Sequence, residues 1–403
     1  MIYVFKGRMI DGVSDSAIEN AMVVVVDEEI VYAGPFSASE VPEGAEVVDI
    51  GQGTIMPGFI DCHTHLVGRH TAGSYARDDD TLLSAAHEIG ILLDAGFTSL
   101  RDMSVNGFAM ARAVDRGYLR GPRIMPGGRV LSPTAGHVDV ELNQSKDYYN
   151  KTDRLSRLCD GVDDCLLAAR EQFRHGAKFI KICATGGVSS PADNLEDVQF
   201  SPEEMRAISG EAARRGAYVT AHIFHDAGAR QAIENGITCV EHGVALERET
   251  LKLMATKNIP LVTTLSVCLG VAKIPGLPPD IAVKTKKCAE DNIRTIKMAL
   301  EEGVLIALGT DFSNSPNSPY SKNGKEFEAM VRAGMSAIES IKAGTSNAAK
   351  LLSFGERLGV LAKGKLADIV VVNGNPLEDI NVICDSENVH LVMKNGVVEK
   401  NIL

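Results

Sequence analysis

The sequence predicts an α/β protein: a (β/α)8 TIM barrel with a small β-sandwich domain formed from both chain termini. Three observations carry that expectation. The middle of the chain repeats strand then helix, with Gly96, Gly176, Gly216, Gly236 and Gly303 each closing a helix just before the next strand. Both ends of the chain are β-rich with no helical period. No Gly-rich dinucleotide fingerprint follows an early strand, which places a closed barrel ahead of an open doubly wound sheet.

The elements follow in order. Ile2–Phe5, Ala21–Val26, Ile30–Ala33 and Val47–Ile50 read as short strands separated by Gly, Asp and Glu. Barrel strands are expected over Thr54–His65, Phe97–Asp102, Arg123–Val130, Phe179–Ala184, Tyr218–Phe224, Cys239–His242, Leu261–Ser266 and Leu305–Asp311. Helices are expected over Thr81–Leu93, Asp163–His175, Pro202–Arg215, Asp226–Asn235 and Pro279–Glu302. Ala367–Val372 is a further strand, and Leu391–Val398 a hairpin around Asn395-Gly396. Residues 1–56 and 355–403 are thus assigned to the β-sandwich, and 57–354 to the barrel.

Composition narrows the function. The 403 residues are 45% hydrophobic and 23% charged, which excludes a disordered or collagen-like chain. No run of about 18 apolar residues occurs, so no membrane span is expected. The first residues lack a basic region followed by a long apolar stretch, so no signal peptide is expected. The net charge of −12 argues against nucleic acid as a partner. The eight cysteines are scattered without a C-x-x-C pair and read as reduced thiols of a cytoplasmic protein. A small-molecule substrate and further copies of the same chain are the expected partners.

In such a barrel, chemistry sits at the C-terminal ends of the strands. Those ends read Asp61-Cys62-His63-Thr64-His65, Lys181-Ile182-Cys183, Ala221-His222, Glu241-His242-Gly243 and Gly309-Thr310-Asp311. His63 and His65 are two apart on a strand, so both rings face one side and can hold a metal ion. His222 and His242, from adjacent strands, can hold a second, and Asp311 completes the ring. Lys181 lies among Phe179, Ile180 and Ile182. Desolvation there lowers its pKa, and a neutral amine can take up CO2 as a carbamate whose two oxygens can bridge two cations.

These residues resemble the amidohydrolase superfamily. The matching pieces are P-G-F-I-D-C-H-T-H (57–65), G-F-T-S-L-R-D (96–102), F-I-K-I-C-A-T-G-G-V (179–188), A-H (221–222), E-H-G (241–243), G-T-D (309–311) and G-K-L-A-D-I-V-V-V-N-G-N-P (364–376). Lys181 followed by T-G-G-V-S-S-P-A-D (185–193) is similar to the prolidase-like, imidazolonepropionase-related branch. The resemblance implies two divalent ions, zinc first, with His63, His65 and Asp311 on one, His222 and His242 on the other, and carboxylated Lys181 on both. It implies a bridging hydroxide that attacks an amide carbonyl, Asp311 as proton shuttle to the leaving amine, and His137 as a hydrogen-bond donor to the oxyanion.

Substrate contacts are expected at Gly186 and Gly187, at His225 and at Arg101. Arg69 and Arg129 are further candidates for a substrate carboxylate. His70 lies in the loop after the first barrel strand, and Ser189, Ser190 and Asp193 read as loop caps. Branch members often read H-A-Y or H-A-H at strand five, where this chain has His222-Ile223-Phe224-His225. The first reading is a dipeptidase or carboxypeptidase or an N-acyl amino acid hydrolase, and that departure keeps a hydrolase of cyclic amides, imidazolones, lactones or carbamates as the alternative. A mononuclear deaminase is disfavoured, because its H-x-x-E glutamate position holds His225. A non-catalytic assembly protein is disfavoured by the intact ligand set.

Overall fold

A computed structural model describes residues 1–68, 78–271 and 279–403 of the chain. Arg69 and His70 lie outside the described residues. The barrel strands are Phe59–Thr64, Phe97–Asp102, Arg123–Pro126, Phe179–Cys183, Tyr218–Ile223, Cys239–His242, Leu261–Thr263 and Ile306–Leu308. The first three form one parallel sheet. The last five pair in parallel in sequence order. Closure uses few links: Lys178 N–H donates to Pro126 C=O at 2.8 Å on one seam, and on the other Asp311 N–H donates to His63 C=O at 2.8 Å and His65 N–H to Phe312 C=O at 3.1 Å.

Two predicted strands differ in extent. The strand expected over 54–65 breaks at Gly58 into Glu46–Pro57, which belongs to the terminal sheet, and the first barrel strand. The strand expected over 123–130 ends at Pro126. Beyond Gly127-Gly128 the chain forms Val130–Ser132, which pairs instead with the fourth barrel strand and with Ser156–Leu158.

Helices Asp78–Asp94, Gly161–His175, Pro202–Ala213, Asp226–Glu234 and Pro279–Glu301 follow the predicted periodicity. The 202–213 helix starts on Pro202 behind a reciprocal cap between Ser201 and Glu204. Strand alternation sorts the fourth strand: Ile180 and Ile182 face outward into the main apolar cluster, which leaves Phe179, Lys181 and Cys183 for the barrel interior. That parity aims Lys181 at the mouth.

Both termini build one mixed seven-stranded sheet, in the order Val397–Asn401, Val389–Lys394, Ile369–Val372, Glu46–Pro57, Ile2–Met9, Ile18–Val26, Glu29–Pro35. The hairpin turn at Asn395 and Gly396 has φ of +49° and +74°, the left-handed pair that a two-residue hairpin needs. Phe5, Val23, Val25, Ile55, Ile369 and Val371 form the sheet's own core. Met56, Val370, Val372, Val389 and Val392 join the barrel cluster, so the sheet is docked on the barrel by apolar burial. All eight cysteines are free and buried. Among the described residues, no helix is long and apolar enough to cross a membrane.

Candidate active site

The strand ends converge on one cavity of about 230 Å³, lined by His63, His65, His137, Lys181, His222, His242 and Asp311, with Val67, Val130, Val138 and Leu155 as apolar wall. Every polar position predicted for the ring is there. The rings of His63 and His65 lie 5.1 Å apart, those of His63 and His242 5.0 Å, and those of His222 and His242 4.6 Å. One nitrogen from each of His63 and His65 and one Asp311 oxygen all lie within 4.8 Å of one another. His242 and Asp311 hold left-handed backbone, with φ of +66° and +58°. Such conformations cost energy in non-glycine residues and concentrate at functional sites.

Hydrogen bonds from behind aim each imidazole. His63 Nδ1–H donates to Glu241 at 2.7 Å, and His65 Nδ1–H to Met103 C=O at 3.1 Å. His242 Nδ1 meets the Thr264 hydroxyl at 2.7 Å. These three rings therefore turn Nε2 inward. His222 is reversed: its Nε2–H donates to Gly186 C=O at 3.2 Å, leaving Nδ1. In each ring one nitrogen is fixed by the protein from behind and the other faces the cavity, the pattern of metal-ligating histidines. His65 Nε2 and Asp311 Oδ1 are 2.8 Å apart, and His63 Nε2 is 3.4 Å from the same oxygen.

Charge follows burial. Burial holds the His63 and His222 rings well below the usual imidazole range, and His242 down at about 3. Burial opposes ionisation of Asp311, yet the His63 and His65 rings outweigh it and hold that carboxyl below its usual value. Burial lowers Lys181 from the usual amine value. Its Nζ has no hydrogen-bond or ion-pair partner among the described residues, although the residue is 3% exposed. A buried amine in no ion pair, set among four inward-facing imidazole nitrogens and the Asp311 carboxylate, fits a lysine available for CO2 and a ring available for cations. Cys183 also reaches the cavity, but burial raises its thiol to about 12, so it is no nucleophile at neutral pH.

His137 lines the cavity beside His222. Its ring stacks on His222 at 4.1 Å and its Nδ1 lies 2.7 Å from Ser190 Oγ. Gly187 is required there, because a Cβ would run into the His137 ring. Gly186 supplies the carbonyl that fixes His222. Neither glycine lines the cavity: both pack the rings that do.

Three other predicted contacts lie elsewhere. Arg101 is fully buried below the ring, ion-paired to Glu241 and bonded through Nε to Cys62 C=O at 2.5 Å. The sequence offers it as a candidate for a substrate carboxylate; its charge is spent on Glu241. His225 caps the 226–234 helix, accepting from Gly228 N–H at 3.2 Å. Phe224 stacks on His222 at 4.4 Å. Arg129 donates to Asn150 C=O at 2.5 Å, away from the cavity.

Glu241 is the residue that sequence reasoning missed. It joins Arg101, Thr220 and His63 in one buried network. The signal was present. Arg101 and Glu241 each sit in a predicted barrel strand among apolar residues, and buried charges of opposite sign must be paired.

Comparison with known proteins agrees with this geometry. Residues 54–398 match the Amidohydrolase family. Ochratoxinase of Aspergillus niger is 34% identical over 98% of this chain and 86% of its own length. The crystal structure of a prolidase complexed with N-methylphosphonate-L-proline superimposes with a TM-score of 0.91 at 31% identity, covering all of both chains. A Xaa-Pro dipeptidase with bound methionine in its active site gives 0.87 at 29% identity, covering 99% of each chain. The chain belongs to the amidohydrolase family and is a hydrolase of its prolidase-related branch.

Proposed function

We propose that this chain is a dinuclear metal hydrolase that cleaves an amide bond next to an apolar group, as a dipeptidase or carboxypeptidase or an N-acyl amino acid hydrolase. The observation that carries the reading is the convergence of four oriented imidazoles, Asp311 and the unpartnered Lys181 on one cavity. His63, His65 and Asp311 would hold one divalent ion, His222 and His242 the other. Lys181 would join them as a carbamate, its amine adding to CO2 with loss of one proton. Divalent ions, zinc first, supply Lewis acidity: they acidify water and polarise a carbonyl.

The chain's own groups do the rest. Asp311 is an ionised carboxylate at the ring and takes a proton from the attacking water, then returns it to the leaving amine. His137, stacked on His222 at the cavity wall, donates to the carbonyl oxygen as it gains charge. Val67, Val130, Val138 and Leu155 exclude water on one side and accept an apolar substituent. Similarity to a prolidase and to an ochratoxinase supports the same bond type.

The test is a library of dipeptides and N-acyl amino acids incubated with zinc-loaded protein, each compound followed by mass spectrometry. Selective loss of one class with an apolar residue beside the scissile bond is expected. No loss from protein holding two ions per chain would overturn the peptidase and acylase reading and turn attention to cyclic amides, lactones and carbamates. One ion per chain would overturn the dinuclear mechanism.

A further inference from the structure

We propose that Ser190 is a positioning residue that keeps the single proton of the His137 imidazole on Nε2, so that the ring offers an N–H donor to the substrate oxygen. The proposal deepens the hydrolase reading above and rests on it for the identity of that oxygen.

Proton bookkeeping at Ser190 carries the inference. Ser190 is buried, and its Oγ accepts from Val138 N–H at 2.9 Å. The hydroxyl proton then needs an acceptor. Among the described residues His137 Nδ1, at 2.7 Å, is the acceptor within hydrogen-bond reach. A neutral imidazole carries one proton, so an Nδ1 that accepts leaves that proton on Nε2. If Nδ1 carried it instead, the buried Ser190 hydroxyl would have nowhere to donate, and buried donors are rarely left unpaired. Nε2 has no protein partner among the described residues, and the ring lines the cavity.

A competing group stands close by. Asp193 Oδ2 is 3.5 Å from His137 Nδ1 and would draw the proton to that nitrogen. Two other donors already engage this oxygen: Gly187 N–H at 3.0 Å and Gln199 Nε2 at 3.3 Å. Ser190 is thus the nearer partner of Nδ1, and it sets the opposite tautomer to the one that Asp193 alone would set.

The backbone around His137 is held as tightly as its ring. His137 N–H donates to Gln199 Oε1 at 3.0 Å, and Ser132 Oγ donates to His137 C=O at 2.5 Å. Tyr149 OH donates to Val138 C=O at 2.6 Å. Val138 has a φ of +66°, a conformation that a β-branched residue adopts only when its surroundings impose it. Four side chains therefore impose a strained turn whose outcome is one orientation of one imidazole.

The experiment reads the tautomer directly. Full-length, zinc-loaded protein is labelled with 15N-histidine, and long-range proton–nitrogen correlation spectra identify which His137 nitrogen is bare, with His137→Gln assigning the signal. The expected result is a bare Nδ1 in the parent and in Ser190→Thr, and a proton shifted towards Nδ1 in Ser190→Ala. In turnover, Ser190→Ala is expected to lower kcat about 10- to 100-fold with KM nearly unchanged and metal content intact. It should add nothing further in a His137→Gln background. A parent protein with its proton on Nδ1 would overturn the proposal, as would a Ser190→Ala protein with an unchanged tautomer and unchanged kcat. Because the spectra need no substrate, the proposal stands or falls separately from the choice of substrate.

Discussion

The two sides of the cavity are built by different means. The ring of His63, His65, Lys181, His222, His242 and Asp311 stands on the ends of barrel strands and is braced from below by buried carboxylates. Asp61 accepts from His63 N–H at 3.0 Å and from Thr310 N–H at 3.1 Å. Asp102 accepts from Leu66 N–H at 2.7 Å, and Glu241 holds His63. The His137 wall stands on loops and is braced mostly by neutral groups: Ser132, Tyr149, Ser190 and Gln199. The ring is thus held by charge inside a rigid frame, and the wall by hydroxyl and amide bonds that fix a turn and a tautomer. The two sides should fail differently when altered.

The largest effect is expected on the ring. Lys181→Ala removes the group proposed to join both ions, and should cost about 10³-fold or more in activity together with one or both metals. Elemental analysis alongside turnover checks it, and short carboxylic acids should restore part of the activity. A Lys181→Ala protein with full metal content and full activity would leave the proposed ring without its bridge. On the wall, His137→Gln should leave metal content intact and lower kcat about 10²- to 10³-fold, the usual size for one lost oxyanion donor. Equal loss of metal in both variants would erase the distinction between the sides.

The same division decided what could be read from the sequence. The ring residues were legible because strands impose a period of two and a barrel puts its chemistry at one end. H-x-H on the first strand and Lys181 on the fourth follow from that parity alone. The bracing was less legible. Glu241 sits beside a predicted ligand, but its partners, Arg101 and His63, come from strands 140 and 178 residues away. Ser190 read as a loop cap, because nothing local in S-S-P-A-D shows that its hydroxyl closes on a ring 53 residues upstream. Gly186 and Gly187 read as close backbone approach to the site, and the structure adds what approaches them: a Cβ would meet Asn194 C=O at Gly186 and the His137 ring at Gly187.

A smaller effect tests the bracing beneath the ring. Glu241→Gln keeps the shape but removes the charge shared by Arg101 and His63. Metal affinity should fall about 10- to 100-fold, as for other partners behind a ligating histidine. Competition with a chelator measures it. An unchanged affinity would show that the His63 tautomer is set without Glu241.

A last test, on stability rather than on metal or turnover, separates the two sides by pH. Glu326 lies fully buried, accepting from Leu265 N–H at 2.9 Å and Ser266 N–H at 2.7 Å where the chain leaves the seventh strand. Burial pushes its carboxyl up to about 7 from an ordinary value of 4.5. A carboxyl raised on folding binds protons more tightly in the folded chain. Its stabilising contribution is therefore complete below pH 4.5 and is lost as pH rises through about 7. A gap of that size corresponds to a loss on the order of 3 kcal/mol across the window. Glu326→Gln removes the titration, so urea midpoints of the variant should fall less between pH 5 and pH 8 than those of the parent. The neutral braces of the wall carry no such slope, and Ser132→Ala should shift the midpoint by the same amount at both pH values. Parallel pH profiles for the parent and Glu326→Gln would show that Glu326 does not titrate in this range and that its charge does not set the frame apart from the wall.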